Sequence, residues 1–162
     1  MAYISMKIKN PKLLIISLII PFIASAIGSL FTAQTVGTWY LELIKPSFNP
    51  PSWLFGPVWT TLYILMGISL YLVWVDRKKK FRKEAFTAYG TQLSLNAIWS
   101  VLFFGLQSPF YAFIEIIFLW TAIAFTIYYF YKISKNAAYL LIPYILWVSF
   151  AAILNFSIYY LN

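Results

Sequence analysis

The sequence predicts an all-α integral membrane bundle of five transmembrane helices, with a long capping loop between the first and the second. Three observations carry this reading. Of 162 residues, 62% are hydrophobic and only 10% are charged, whereas a soluble domain is about 45–50% apolar and about 25% charged. A chain this short keeps a large share of its surface exposed, so it has no interior big enough to hide that apolar content from water. The apolar residues gather in five runs, 13–31, 53–75, 85–104, 110–131 and 137–161, each near the roughly 20 residues that span a bilayer core. The basic residues fall between alternate runs. One domain covering residues 1–162 follows from the length.

Each run has its own signals. Run 13–31 follows Lys7, Lys9 and Lys12, and its Ala24-Ser25-Ala26 resembles a signal-peptide cleavage site. The run continues through Ile27, Leu30 and Phe31, so it reads as a retained membrane helix. Run 53–75 has Pro57 near its start, where a missing amide hydrogen is tolerated. Run 85–104 carries Gln92 and Asn96 but no charge, run 110–131 has the single acid Glu115, and run 137–161 carries Asn155. Backbone polar groups in lipid must pair within their own segment, so all five runs are expected to be helical.

Eleven of the 12 Lys and Arg residues lie on one side: the three N-terminal lysines, Arg77, Lys78, Lys79, Lys80, Arg82 and Lys83 after the second run, and Lys132 and Lys135 after the fourth. Only Lys45 lies on the other. Positive charge marks the cytoplasmic side, which puts the N-terminus in the cytoplasm and the first loop and C-terminus outside. The net charge of +8 is thereby explained by topology, and no nucleic-acid partner is expected. Whether the run 77–83 also holds anionic lipid, beyond anchoring the helix, is left open by the pattern.

With no cysteine and no histidine, the chain has no thiolate, no Ser-His pair and none of the commonest metal ligands. No metal site and no required cofactor are expected. No internal repeat appears, as inverted-repeat transporters would show.

Pro46, Pro50 and Pro51 deny the first loop a helix or central strand and make it a stiff cap. Trp39, Trp53, Trp74 and Tyr159-Tyr160 suit the aromatic belts of the membrane interface. Trp59, Trp99 and Trp147 lie several residues inside their runs. Trp59, Tyr63 and Met66 share one helix face; so do Gln92, Asn96, Trp99 and Phe103, and so do Tyr144, Trp147, Ala151 and Asn155. Polar residues within a span face the bundle interior. These faces therefore either pack helix on helix or line a pocket for a flat apolar ligand. Glu115 should face the bundle and there find a partner or be protonated, with a structural hydrogen bond favoured over a proton relay. Gly90, Ser94 and Ala97 form a separate small-residue stripe on the third run, fit either for a bulky neighbour within the protomer or for a second copy.

The stretch from Trp39-Tyr40 through Lys45-Pro46-Ser47-Phe48, Pro50-Pro51, Trp53, Phe55-Gly56-Pro57-Val58-Trp59, Leu62-Tyr63 and Tyr71-Leu72-Val73-Trp74 resembles the signature of the TspO/translocator protein (tryptophan-rich sensory protein) family. Gln92, Asn96 and Trp99 continue the resemblance, as do Pro143-Tyr144, Trp147, Phe150-Ala151 and Leu154-Asn155. It covers nearly the whole chain in order.

The resemblance implies a receptor or sensor in a membrane, by its composition a bacterial plasma membrane. The expected ligand is a porphyrin (protoporphyrin or haem-like) or a similar planar apolar molecule, held in a cavity under the first loop. It implies Tyr40, Lys45, Pro51, Trp59, Tyr63, Asn96, Trp99, Tyr144, Trp147, Ala151 and Asn155 as ligand-binding residues, with Lys45 reaching an acidic edge at the mouth. It also implies two alternatives: light-dependent porphyrin breakdown with Trp59 and Trp147 as the reactive side chains, or carriage of apolar ligands across the bilayer. A homodimer, with Gly90, Ser94 and Ala97 as its candidate interface, is a further expectation. The chain's end, Tyr159-Tyr160-Leu161-Asn162, lacks the basic residue of the sterol motif associated with the family.

Overall fold

A computed structural model describes residues 10–77 and 80–162; Lys7, Lys9, Lys78 and Lys79 lie outside the described residues. The elements are α1 (Pro11–Thr35), α2 (Trp39–Glu42), α3 (Ser52–Val75), α4 (Arg82–Ser100), a π-helical turn (Val101–Gly105), α5 (Pro109–Ile133), α6 (Lys135–Tyr139) and α7 (Ile142–Leu161). The all-α class is as expected. By length and composition, Pro11–Thr35, Ser52–Val75, Pro109–Ile133 and Lys135–Leu161 can each cross a membrane. Helix α4 with its π turn, whose first residues are charged, is the fifth long helix of the bundle.

Helix starts follow the local chemistry. Asn10 and Ser108 cap α1 and α5 by accepting from the amides of Leu13 at 3.1 Å and Tyr111 at 3.4 Å, and Pro11 and Pro109 occupy the first turn, where no amide hydrogen is needed. The fifth predicted run departs from expectation: α6 stops at Tyr139 and α7 begins at Ile142, with Pro143 in its first turn. The first loop is not wholly irregular either, since Trp39–Glu42 makes one helical turn before the prolines begin.

The long helices form a ring in the order α3, α1, α4, α5, α7, and α6 closes it against α3. The tightest joint is between α1 and α3. A Cβ placed on Gly67 would lie 2.8 Å from Leu18 Cα and 2.9 Å from the Ser17 carbonyl oxygen, so only glycine allows the two backbones to meet there. Pro21, one turn on, has no amide hydrogen to offer that carbonyl. On the other flank of α3, α3 and α7 are bridged by aromatic rings: Phe55 meets Trp147 edge-on at 5.9 Å, and Trp59 meets Tyr144 at 6.3 Å.

Gly67→Ala is expected to force the joint apart and destabilise the bundle by about 1–3 kcal/mol. Gly56→Ala, where an added Cβ meets nothing within 4 Å, is expected to be neutral or to gain up to about 1 kcal/mol. Thermal unfolding of both variants in the same detergent checks the contrast; equal melting temperatures would show that the Gly67 contact does not hold the bundle together.

Candidate functional site

Inside the ring is a cavity of about 350 Å³, within the roughly 300–1,000 Å³ range of small-molecule sites. Its walls are aromatic on two sides. On α3, Trp59 stacks on Tyr63 at 5.4 Å with a 27° tilt. Across the cavity, Trp99 stacks on Phe103 at 4.9 Å and 18°, and Phe104 meets both edge-on. The π turn makes this second wall. Its extra residue per turn shifts the helical register, and Trp99, Ser100, Phe103 and Phe104 all reach the cavity. Tyr40, on the one-turn helix α2, covers this end, 5.7 Å from Phe104 and 6.2 Å from Phe103. Burial pushes its phenol above the ordinary tyrosine range, opposed by a 3.4 Å hydrogen bond that it donates to Asn49.

A polar frame holds these walls. Tyr63 donates to Asn96 Oδ1 at 2.8 Å, and Asn96 Nδ2 donates to the Tyr144 hydroxyl at 3.1 Å. Trp99 Nε1 donates to Asn155 Oδ1 at 3.0 Å, and Asn155 Nδ2 donates to the Pro109 carbonyl at 2.8 Å. Both asparagines therefore tie helices together and fix the facing side of an aromatic ring. Interhelical bonds and pocket lining, which read as alternatives in the sequence, are here the work of the same residues.

Of the expected site residues, Tyr40, Trp59, Tyr63, Asn96, Trp99, Ala151 and Asn155 line the cavity. Four do not. Tyr144, 1% exposed, lies behind the wall and supports Asn96. Trp147 lies in an external groove between α3 and α7, with Pro57, Thr61, Leu146 and Phe150. On α7 the cavity side is Val148, Ala151, Leu154, Asn155 and Ile158, and Trp147, one position before Val148, turns into the seam. Pro51 immediately precedes the wall residue Ser52 and is itself exposed. Lys45 bends back over the loop, its Nζ 4.6 Å from the centre of the Tyr40 ring and 3.1 Å from the Leu43 carbonyl.

The residues missed are those of α1: Ser25, Gly28, Ser29 and Thr32 form one wall. Their spacing of three, four and seven was a visible signal of a single face. Gly28 brings α1 close to α4, since a Cβ there would lie 2.9 Å from Ser100 Oγ. The exposed members of the cavity lining are Ser29 and Val36 at the end of α1 and Ser52 and Gly56 at the start of α3. The cavity thus opens sideways between the two helices, at the end opposite their Gly67 joint.

Glu115 faces the bundle as expected and is 7% exposed, but neither carboxylate oxygen has a hydrogen-bond partner among the described residues. Ala97 is buried within the protomer, while Gly90 and Ser94 are exposed on the outer face of α4. No cluster of potential metal ligands occurs among the described residues.

The chain is 52% identical to the tryptophan-rich protein TspO of Archaeoglobus fulgidus over 83% of its length and 87% of the relative's. It is 37% identical to the human translocator protein over 86% and 83% of the two chains. It is 34% identical to a tryptophan-rich sensory protein of Cereibacter sphaeroides over 76% and 77%. The profile of the TspO/MBR family matches residues 17–161. The long apolar helices are those of an integral membrane protein, and the chain belongs to the TspO/MBR family.

Proposed function

We propose that this protein is a membrane receptor of the sensor type that binds a porphyrin, or a similarly flat apolar molecule, between the Trp59–Tyr63 and Trp99–Phe103 walls. The observation that carries the reading is the pair of stacked aromatic walls facing one shared cavity. Indole and phenol faces suit a planar macrocycle. The hydroxyl oxygens of Ser25, Ser29 and Thr32 on α1 and of Ser100 on α4 can accept hydrogen bonds from its polar edge. The opening between α1 and α3 makes the bilayer itself the route of entry, as befits a ligand that dissolves in lipid. The basic ends at Lys12, Arg77–Lys83 and Lys132–Lys135 support a cytoplasmic N-terminus; on that reading the opening belongs to the outer half of a bacterial plasma membrane.

A second reading, light-dependent porphyrin breakdown, draws on Trp59. Its stacking on Tyr63 puts an oxidisable ring pair against the ligand, whereas Trp147 sits outside the wall. A dimer through the exposed Gly90 and Ser94 is also proposed, because small residues on a lipid-facing stripe let two helices approach.

Titration with protoporphyrin, read by quenching of tryptophan fluorescence, is expected to saturate. Trp59→Phe and Trp99→Phe should each weaken binding about 2- to 10-fold, the range for losing one good aromatic contact, and Trp147→Phe should change it less. Equal weakening by Trp147→Phe would move the ligand to the outer groove.

Gly56→Trp is expected to plug the side opening and slow association about tenfold or more, with the fold intact, because that position faces open space. Ile153→Trp, at a position 60% exposed on the outside of α7, should leave the rate unchanged. Porphyrin absorbance that fades under illumination with the parent protein, and more slowly with Trp59→Phe, would select the second reading. In a chain with no cysteine of its own, crosslinking through Gly90→Cys and Ser94→Cys in native membranes tests the dimer, and failure at both sites would exclude this interface.

A further inference from the structure

Beyond the cavity wall, one contact joins the far end of the chain to the first loop. Ile44 lies outside any regular element after α2, so no helix or strand supplies a partner for its amide or carbonyl. Asn162 supplies both. The Ile44 amide donates to Asn162 Oδ1 at 2.9 Å, and Asn162 Nδ2 donates to the Ile44 carbonyl at 3.0 Å. The carboxamide carries a donor and an acceptor side by side and so stands in for a peptide group. Its Nδ2 also donates to the Ile158 carbonyl at 2.8 Å, which fixes the amide to the last turn of α7.

The two residues it joins both bear on the cavity. Ile158 is a wall residue packed in the same apolar cluster as Tyr40. Lys45, next to Ile44, places its ammonium over the Tyr40 ring and bonds the Leu43 carbonyl. The loop is therefore held at Ile44 from one side and folded onto Tyr40 from the other. We infer that Asn162 is a positioning residue that clamps the first loop over the cavity and sets how often the cavity opens to water. The inference rests on the ligand-binding reading for its purpose, but not for its test.

The test places a single cysteine at the wall position Ala151 and measures its reaction with a charged, membrane-impermeant methanethiosulfonate in ligand-free protein. Asn162→Leu removes both bonds to Ile44. It is expected to speed the reaction about tenfold, since two hydrogen bonds of modest net strength multiply in an opening equilibrium. Asn162→Asp keeps the acceptor for the Ile44 amide and sets an oxygen against the Ile44 carbonyl; it should give a smaller acceleration. Hydrogen exchange at the Ile44 amide should rise in the leucine variant, with the melting temperature unchanged.

Unchanged reaction at Ala151→Cys in both variants would overturn the clamp, as would faster exchange at Ile44 without faster reaction in the cavity. In nanodiscs, Asn162→Leu should add an aqueous route beside the lateral one, so that protoporphyrin supplied from water associates and dissociates faster than in the parent, at nearly constant affinity. If the parent binds no protoporphyrin while the cysteine still reacts faster in the variants, the ligand reading fails and the clamp stands.

Discussion

Where Gly67 meets the Ser17–Leu18 backbone, α1 and α3 lie as near to each other as two helices can, and the shape of the cavity follows from that contact. Helices joined tightly at one end can diverge at the other without losing their pairing. The space between the separating ends is where Ser25, Ser29 and Thr32 of α1 and Trp59 and Gly56 of α3 come to line a cavity. A side chain of any size at position 67 would part the helices at their joint and let the far ends close. In lipid there is no water to expel between helices, so such direct packing carries much of the cohesion. A single glycine can thus govern the geometry of a site several turns away.

The second constraint is polar. An amide inside a bilayer must find partners within the protein, and Asn96 and Asn155 do so by reaching across to other helices. Each also holds an aromatic side chain of the cavity wall, Tyr63 through its hydroxyl and Trp99 through its indole nitrogen. The rings are therefore fixed in orientation before any ligand arrives, which lowers the ordering cost of binding. On the proposed function, stability and recognition use the same bonds.

Much of this was legible in the sequence because the bilayer imposes length and sign. Run length gave the helices, and the asparagines marked the inner faces of α4 and α7. What could not be read depended on register and on fine divergence between helices. The π turn at Val101–Gly105 adds Ser100 and Phe104 to a wall that straight helical spacing ends at Trp99 and Phe103. Trp147 shares a stripe with Tyr144 and Ala151 in a three-four count, yet Val148 is the residue that faces the cavity, and a rotation of one position separates a pocket from a lipid groove. The α1 wall escaped notice because serine, glycine and threonine in an apolar run look like packing residues until a cavity is seen beside them. The pairing of Ile44 with Asn162 spans most of the chain and has no local signal.

The central claim is that the ligand lies inside the ring, against Ala151, and not in the outer groove beside Trp147. Single cysteines at Ala151, on the cavity wall, and at Leu146, 64% exposed in the groove, separate the two places with an uncharged thiol reagent that partitions into the membrane. Saturating protoporphyrin should protect Ala151→Cys strongly and leave the rate at Leu146→Cys unchanged. Protection at Leu146→Cys with none at Ala151→Cys would contradict the account.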